Sequence, residues 1–301
     1  MQHAHCSLQS ACANLQVQGV SAQVQWERRL RKPVRQQQKV WSQKVHAHAY
    51  AALMADLPED QRVDLRSAGG KGAGSFLLPP SLEEHVMPDA HFIAAVCCRL
   101  RAEAVAGVQG TCGHVCAETK ARCGQPLDAR GRHARICKKG GGVISRHDRI
   151  RDWLAKWIGR QLDREVLTEQ CVPRWDRMRN GRLERARLDV VYDNLAGRRV
   201  HVDIAVTEAS TEDPQELRQR AVGDGAAALR EEDSKRRRPG PSLIPFVLES
   251  MGRMGESADA LLRALAPKDP DERSRVLGAA RQSLSVLLQM GNADLMLSAA
   301  A

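Results

Sequence analysis

RLDVVYDNLAGRRVHVDIAVT, residues 187–207, decides the fold class of this chain. From Leu188 to Tyr192, and again from Arg199 to Val206, the pattern alternates by two, the period of a strand whose side chains point to opposite faces of a sheet. The residues between, Asp193 to Gly197, are turn formers, so the segment predicts a β-hairpin. On the second strand Val200, Val202, Ile204 and Val206 share one face, while His201 and Asp203 share the other. Asp189 and Asp203 therefore sit on adjacent strands, both pointing away from the faces that Leu and Val bury.

Outward from the hairpin the period changes to that of helices. Upstream, a helix is predicted from near Ser145, where Ile150, Trp153, Leu154, Trp157, Ile158 and Leu162 recur at helical spacing and leave Arg149, Arg151, Lys156 and Arg160 mostly outward. Downstream, residues 211–234 read as a charged helix running into KRRR at 235–238 and then PGP. SLIPFVLES reads as a buried strand, and two further helices follow near 256–266 and 271–290. This order predicts an α/β fold with a mixed small sheet flanked by helices.

Two carboxylates on adjacent strands suit a hard divalent cation. Mg²⁺ takes carboxylate oxygens and water, and in phosphodiester hydrolysis it activates the water and neutralises developing charge. Glu169 is a candidate third oxygen donor, and Lys235 a candidate to stabilise transition-state charge or orient the water. The plain alternatives are a solvated strand aspartate and an exposed basic run or nuclear-import patch. The shared hairpin, a neighbouring cysteine cluster and the basic balance of the chain favour the metal reading.

That cluster, TCGHVCAETKARCGQPLDARGRHARIC, holds Cys112, Cys116, Cys123, His133 and Cys137, with His114 nearby, inside 26 positions. Zinc wants four nitrogen or sulfur ligands in a tetrahedron, and a closed Cys₃His set is structural. His133 and Cys137 stand four apart, as a final ligand pair does. Gly113, Gly124, Pro126 and Gly131 let the backbone wrap around an ion. Buried thiols packing as small hydrophobes are the alternative, but the stretch is polar and poor in core residues. Spacing leaves open whether Cys112 or Cys116 completes the set. No nearby Glu is placed as a base, so the expected role is structural rather than catalytic.

The rest of the chain bounds the partners. With 301 residues and a net charge of +10 it favours a polyanion, nucleic acid before membrane. Aromatics at 3% leave few platforms for stacking single-stranded bases. No apolar run reaches the roughly 18 to 20 residues of a spanning helix. The N-terminus lacks the pattern of a secretory signal, so nine cysteines are read in a reducing compartment rather than as a disulfide framework. The segment 24–45 is strongly basic, with Pro33 expected to break or kink it. Residues 47–56 look helical. SAGGKGAGSF at 67–76 lacks the order of a phosphate loop and predicts a turn joining helices. Residues 81–106 read as loop and then helix, with Asp89 as a cap.

From the cysteines onward the chain resembles the C-terminal region of site-specific non-LTR retrotransposon polyproteins, in which a Cys/His zinc knuckle is joined to a restriction-like endonuclease of the PD-(D/E)XK superfamily. RCGQPLDARGRHARIC with the following GGG, SRHDRIRDWL, EQCVP, RLDVVY, HVDIAVT and SKRRRPGPSLIPFVLESMGRMG carry the resemblance, in that order, across residues 65–266. It implies that Asp189 and Asp203 bind the metal, that Arg146 and His147 are the Arg-His pair opening the helix after the knuckle, and that Glu169 is the acid before the sheet. The lysine expected two residues beyond the second acid is absent, and Lys235 is the candidate to replace it. The tyrosine expected just after is replaced by Arg or Pro. No YxDD-like reverse-transcriptase motif occurs in residues 1–110, so the resemblance implies a fragment of an element or a standalone descendant.

The expected organisation is a basic, mostly helical region at 1–106, a zinc knuckle at 107–142, and a restriction-like endonuclease domain with C-terminal helices at 143–301. The expected activity is Mg²⁺-dependent nicking of DNA, with structural zinc, no small-molecule cofactor and a nuclear location. RNA is a second polyanion in keeping with the charge. From a different class, a decayed nuclease fold that binds nucleic acid without cutting it, or a zinc-stabilised protein-interaction scaffold, would share most of these features.

Overall fold

The computed structural model describes residues 34–102, 110–179, 181–237 and 243–300. It divides into two compact units after Pro58. In the first, helix α1 (Val34–Asp56) contains the helix expected at 47–56, while Pro33, where the chain was expected to break, lies outside the described residues. Most of the basic segment at 24–45 lies outside the described residues. Within α1, Lys44 stands over the Trp41 ring at 5.6 Å.

The second unit begins with α2 (Glu59–Ala68), and the glycine-rich stretch turns the chain as expected, ending in a 3-10 turn at Ser75–Leu77. Helix α3 (Asp89–Leu100) follows. Asp89 is its first helical residue rather than its cap: Pro88 holds the cap position and makes no side-chain hydrogen bond. A short helix, α4 (Arg132–Ile136), and the long α5 (Gly142–Leu162) come next. Helix α5 starts three residues earlier than its apolar pattern suggested, because Gly141 adopts φ 74° and Gly142 lies against Leu295, where a Cβ would stand 2.5 Å from that side chain.

Four strands build the main sheet: β1 (Leu167–Cys171), β4 (Arg187–Asp193), β5 (Arg199–Thr207) and β6 (Leu243–Glu249), in the order β1-β4-β5-β6. Between β1 and β4, β2 (Arg177–Arg179) and β3 (Arg182–Glu184) form a separate two-stranded ribbon. The β4–β5 hairpin is the one read from the sequence, and β6 is the expected buried strand, lying parallel to β5 while the other pairs are antiparallel. The sheet is therefore mixed. The single charged helix expected at 211–234 is two helices, α6 (Pro214–Val222) and α7 (Ala226–Arg236), interrupted at Gly223–Gly225. Helix α8 (Glu256–Leu265) matches expectation, whereas α9 (Pro270–Ala300) runs ten residues past it.

Val190, Val202, Ile204, Phe246 and Leu248 line one sheet face and pack with Ile150, Leu154 and Ile158 of α5, Leu262 of α8, and Leu284 and Leu288 of α9. Each such side chain contributes about 1.5–3 kcal/mol when fully buried. The opposite face was expected to meet solvent. It does not: α7 packs over β5 and β6 and its Lys235 meets the buried Asp203, while His201 is buried with Trp175 edge-on against it. Helix α9 is buried on several sides at once, and its Asn292 and Gln289 amides donate to the Ser250 carbonyl. None of the helices among the described residues is long and apolar enough to cross a membrane.

Candidate functional site

The sheet forks at the two aspartates. Strand β4 pairs with β5 from Val190↔Val202 to Asp193↔Arg199 and then leaves it, while β5 goes on beside β6. One further step of that register sets Asp189 opposite Asp203. The register of β1 on β4 likewise sets Glu169 across from Asp189, at the point where Glu169 has φ 54° and the ladder between the two strands skips one step. Three acids thus stand in one row across β1, β4 and β5.

Each is held differently. At the fork the freed Ile204 amide donates to Asp189 Oδ2 at 2.6 Å, and His147 Nε2 of α5 lies 3.2 Å from the same oxygen. Asp203 Oδ2 accepts a hydrogen bond from Lys235 Nζ at 2.7 Å, and the same ammonium donates to the Ile204 carbonyl at 3.1 Å. Asp203 and Lys235 are 7% and 4% exposed, so this is a buried ion pair rather than a surface one. The two aspartate carboxylates are close enough to hydrogen-bond each other. Burial pushes the Asp203 carboxyl up, Lys235 pulls it down, Asp189 adds an upward push, and the net is upward. Burial also works on Asp189, but His147 and the Ile204 amide outweigh it and hold that carboxyl below its ordinary value. For His147 burial opposes the charge, and Asp189 and Asp148 overcome it, so the imidazole is held above its usual range.

Lys235 reaches this point because α7 is anchored by buried acids. Glu249 on β6 accepts the Ala228 amide at 3.1 Å, and Glu232 accepts the Ser257 amide and hydroxyl, each at 3.0 Å. Of the KRRR run, Lys235 is buried, Arg236 pairs with Glu232 and Asp233, and Arg238 lies outside the described residues.

The remaining candidates separate. Glu169 is bound by Arg151 at 2.5 Å and by Arg187, which draws it off from the aspartate pair. Arg151 was read as outward; it is 9% exposed and also bridges Asp148 and Asp152. Its place one helical turn after His147 was the available hint, since residues four apart share a face. Arg146 does not join the acids. It points to α9, donates to Asn292 Oδ1 at 2.6 Å, and burial lowers its guanidinium to about 10.

A second constellation lies in the cysteine segment. The ligand atoms of Cys112, Cys123, His133 and Cys137 all lie within 4.8 Å of one another, and this group could hold a metal ion. It is the one group of three or more ligating side chains so placed among the described residues. Cys112 Sγ and Cys137 Sγ are 3.8 Å apart, and Cys123 Sγ is 3.4 Å from His133 Nε2. A tetrahedron with metal–sulfur bonds of about 2.3 Å has sulfur–sulfur edges of about 3.8 Å, so the donor set and its size fit zinc.

The backbone makes the cluster. Residues 111–126 form a small hairpin, with Cys112 N bonded to Gln125 O and Gly124 N to Cys112 O. Asp128 then accepts the amides of Arg130, Arg132 and His133, opening α4 so that His133 turns inward. Between the alternatives Cys112 and Cys116, the group contains Cys112. Cys116 stands outside it, at the tip of the hairpin, where its amide bonds Ala121 O. His114 is not a ligand either: its Nε2 faces the Leu295 carbonyl and the Ser298 hydroxyl of α9.

The Cys₃His segment is bound to the rest of its unit. Gly113 N donates to Ala299 O, and Arg135 makes a two-pronged, buried pair with Glu208 just beyond β5. No sequence pattern announced Glu208. Set against known proteins, the chain matches no family model and no curated protein.

Proposed function

We propose that this chain is a metal-dependent DNA endonuclease of the restriction-like class, related to the C-terminal region of site-specific non-LTR retrotransposon polyproteins and acting in the nucleus. The meeting of Asp189, Asp203 and Lys235 at the fork of the sheet carries the reading. Two carboxylates in contact repel unless a proton or a cation lies between them. Their all-oxygen character suits Mg²⁺, which is commonly held by one or two carboxylates together with water and substrate phosphate. Bound there, the ion would activate water and neutralise charge on the phosphoryl group.

The residues divide the remaining work. Asp189 and Asp203 hold the cation, and His147 with the Ile204 amide fixes the Asp189 carboxylate. Lys235 stands where the resemblance needs a lysine, supplied from α7 instead of from β5, and offers its charge to the scissile phosphate. Glu169 supports the row through Arg151 and Arg187 rather than by binding metal. The Cys₃His knuckle, read as a structural zinc site, is fastened to the end of β5 through Arg135 and Glu208. A charge of +10 supplies attraction to the phosphate backbone.

The test is nicking of supercoiled DNA with Mg²⁺ or Mn²⁺ by the whole chain and by Asp189→Asn and Asp203→Asn. At Asp189 asparagine keeps an oxygen for the Ile204 amide; at Asp203 it leaves Lys235 without its ionic partner, so thermal midpoints accompany both variants as the fold control. Nicking is expected to fall by at least about 100-fold in each, while duplex affinity stays within about twofold. Cutting that survives both substitutions removes the site assignment. Binding by wild type that weakens steeply with salt and never leads to cleavage replaces the enzyme with a nucleic-acid-binding module.

A further inference from the structure

The ribbon between β1 and β4 has no part in the chemistry described so far, yet it is the most basic short stretch near the fork. Residues 174–187, RWDRMRNGRLERAR, hold six arginines. The β2–β3 register pairs Met178 with Leu183 and Arg179 with Arg182. Gly181, just before the second strand of the ribbon, has φ 74°, the left-handed conformation that tight hairpin turns use. Register partners share a face, and Met178 and Leu183 are 67% and 60% exposed. Two large apolar side chains side by side on a two-stranded ribbon gain nothing for the fold by facing water. Arg174, Arg182, Arg185 and Arg187 are exposed as well.

The base of the ribbon is rigid and close to the acids. Val172 N donates to Ala186 O at 2.8 Å, and Asp176 Oδ1 accepts the Ala186 amide at 2.7 Å. Trp175 packs edge-on against His201, ring centres 4.9 Å apart, two residues from Asp203. The ribbon leaves the sheet two residues after Glu169 and rejoins it two residues before Asp189. Its position relative to the fork is therefore fixed by the sheet itself.

We propose that the β2–β3 ribbon is a duplex-DNA grip that enters the major groove beside the scissile phosphate. The inference rests on the proposed function for the presence of DNA at the fork. A major groove about 12 Å wide admits a two-stranded ribbon. Arg182 and Arg185 then meet phosphates on the groove walls, and Met178 with Leu183 faces the base edges, where apolar side chains contact thymine methyl groups. Charge complementarity selects a polyanion, and the paired apolar side chains select one with a groove that can bury them.

Duplex binding by the whole chain is measured with Mg²⁺ and Mn²⁺ omitted and no chelator added, which removes any dependence on cleavage and spares the Cys₃His metal, between about 50 and 200 mM salt. Arg182→Ala/Arg185→Ala is expected to lower the slope of log affinity against log salt by about 1.8, since each lost phosphate contact removes about 0.9. Met178→Ala/Leu183→Ala is expected to leave that slope unchanged and weaken duplex binding about tenfold. All four positions are exposed, so thermal midpoints serve as the fold control. If both variants keep wild-type slope and affinity, the ribbon is not the grip. If single-stranded DNA or RNA competes as well as duplex, or if a minor-groove ligand displaces the protein, the major-groove placement is wrong. A wild type that never nicks but shows the arginine-dependent slope ends the nuclease reading and leaves the grip standing.

Discussion

The knuckle and the fork are both clusters of ligand-type side chains, but they are assembled in opposite ways. The Cys₃His group comes from 26 consecutive positions and is shaped by a small hairpin, one aspartate cap and glycines. Its soft donors lie within 4.8 Å of one another and could surround one metal ion. The fork gathers His147, Asp189, Asp203 and Lys235 from α5, β4, β5 and α7. Its donors are hard, only two carboxylates meet, and Lys235 stands at one end with the His147 imidazole at the other. A local cluster can be closed by its own loop, whereas a cluster gathered from four elements depends on the core to hold those elements still.

That contrast can be broken at the knuckle first. Zinc held by a closed set contributes folding free energy outright, on the order of 10 kcal/mol or more in small zinc domains. Cys137→Ser or Cys112→Ser is expected to abolish zinc retention and lower the thermal midpoint by more than about 10 °C. Cys116→Ser is expected to keep one zinc per chain by atomic absorption. Retention of zinc by Cys112→Ser, or its loss in Cys116→Ser, would reverse the ligand assignment.

At the fork the largest structural effect belongs to the ion pair. Replacing Lys235 by Met leaves the Asp203 charge buried without its partner and is expected to cost about 3–5 kcal/mol, read by urea unfolding. Adding Asp203→Asn to that variant is expected to recover most of the loss, since the uncompensated charge goes with it. If the double variant is no more stable than the single one, Lys235 serves packing rather than charge.

A smaller effect sharpens how the knuckle side is held. Asp64 lies by the knuckle, 3.0 Å from Arg101, yet burial outweighs that partner and raises its carboxyl to about 6. Because the folded value exceeds the unfolded value near 3.9, the stability linked to this group is fully present below about pH 4 and is lost as pH rises through 6. Asp64→Asn is therefore expected to gain about 1–2 kcal/mol over wild type at pH 7.5, an advantage that disappears near pH 4. A variant that is less stable than wild type at pH 7.5 would show that the Arg101 pairing outweighs burial.

Legibility followed the same division. The β4–β5 hairpin, the strand β6 and helix α8 were readable because their periods are local. Four of the five named metal ligands are where spacing suggested, and only geometry could separate Cys112 from Cys116. The burial of Asp203 was misread because α7, whose Lys235 meets it, lies some thirty residues further on, and that of His201 because its partner Trp175 comes from the ribbon upstream. Arg146 was placed with the acids by its neighbour His147, although on a helix adjacent residues point about 100° apart. The ribbon at 177–184 was missed because three-residue strands are too short for alternation to register.

By itself the sequence determined the alternating hairpin, the amphipathic helix after the cysteines, and a donor set compact enough to surround one ion. Those properties depend on neighbours within a turn or a loop, and the chain carries them wherever it goes. Only the tertiary structure decided that Lys235 meets Asp203, that Arg146 turns to α9, and that Glu169 is taken by arginines. Each of those outcomes hangs on which elements pack together, and that choice is made by the burial of the whole core rather than by any one segment.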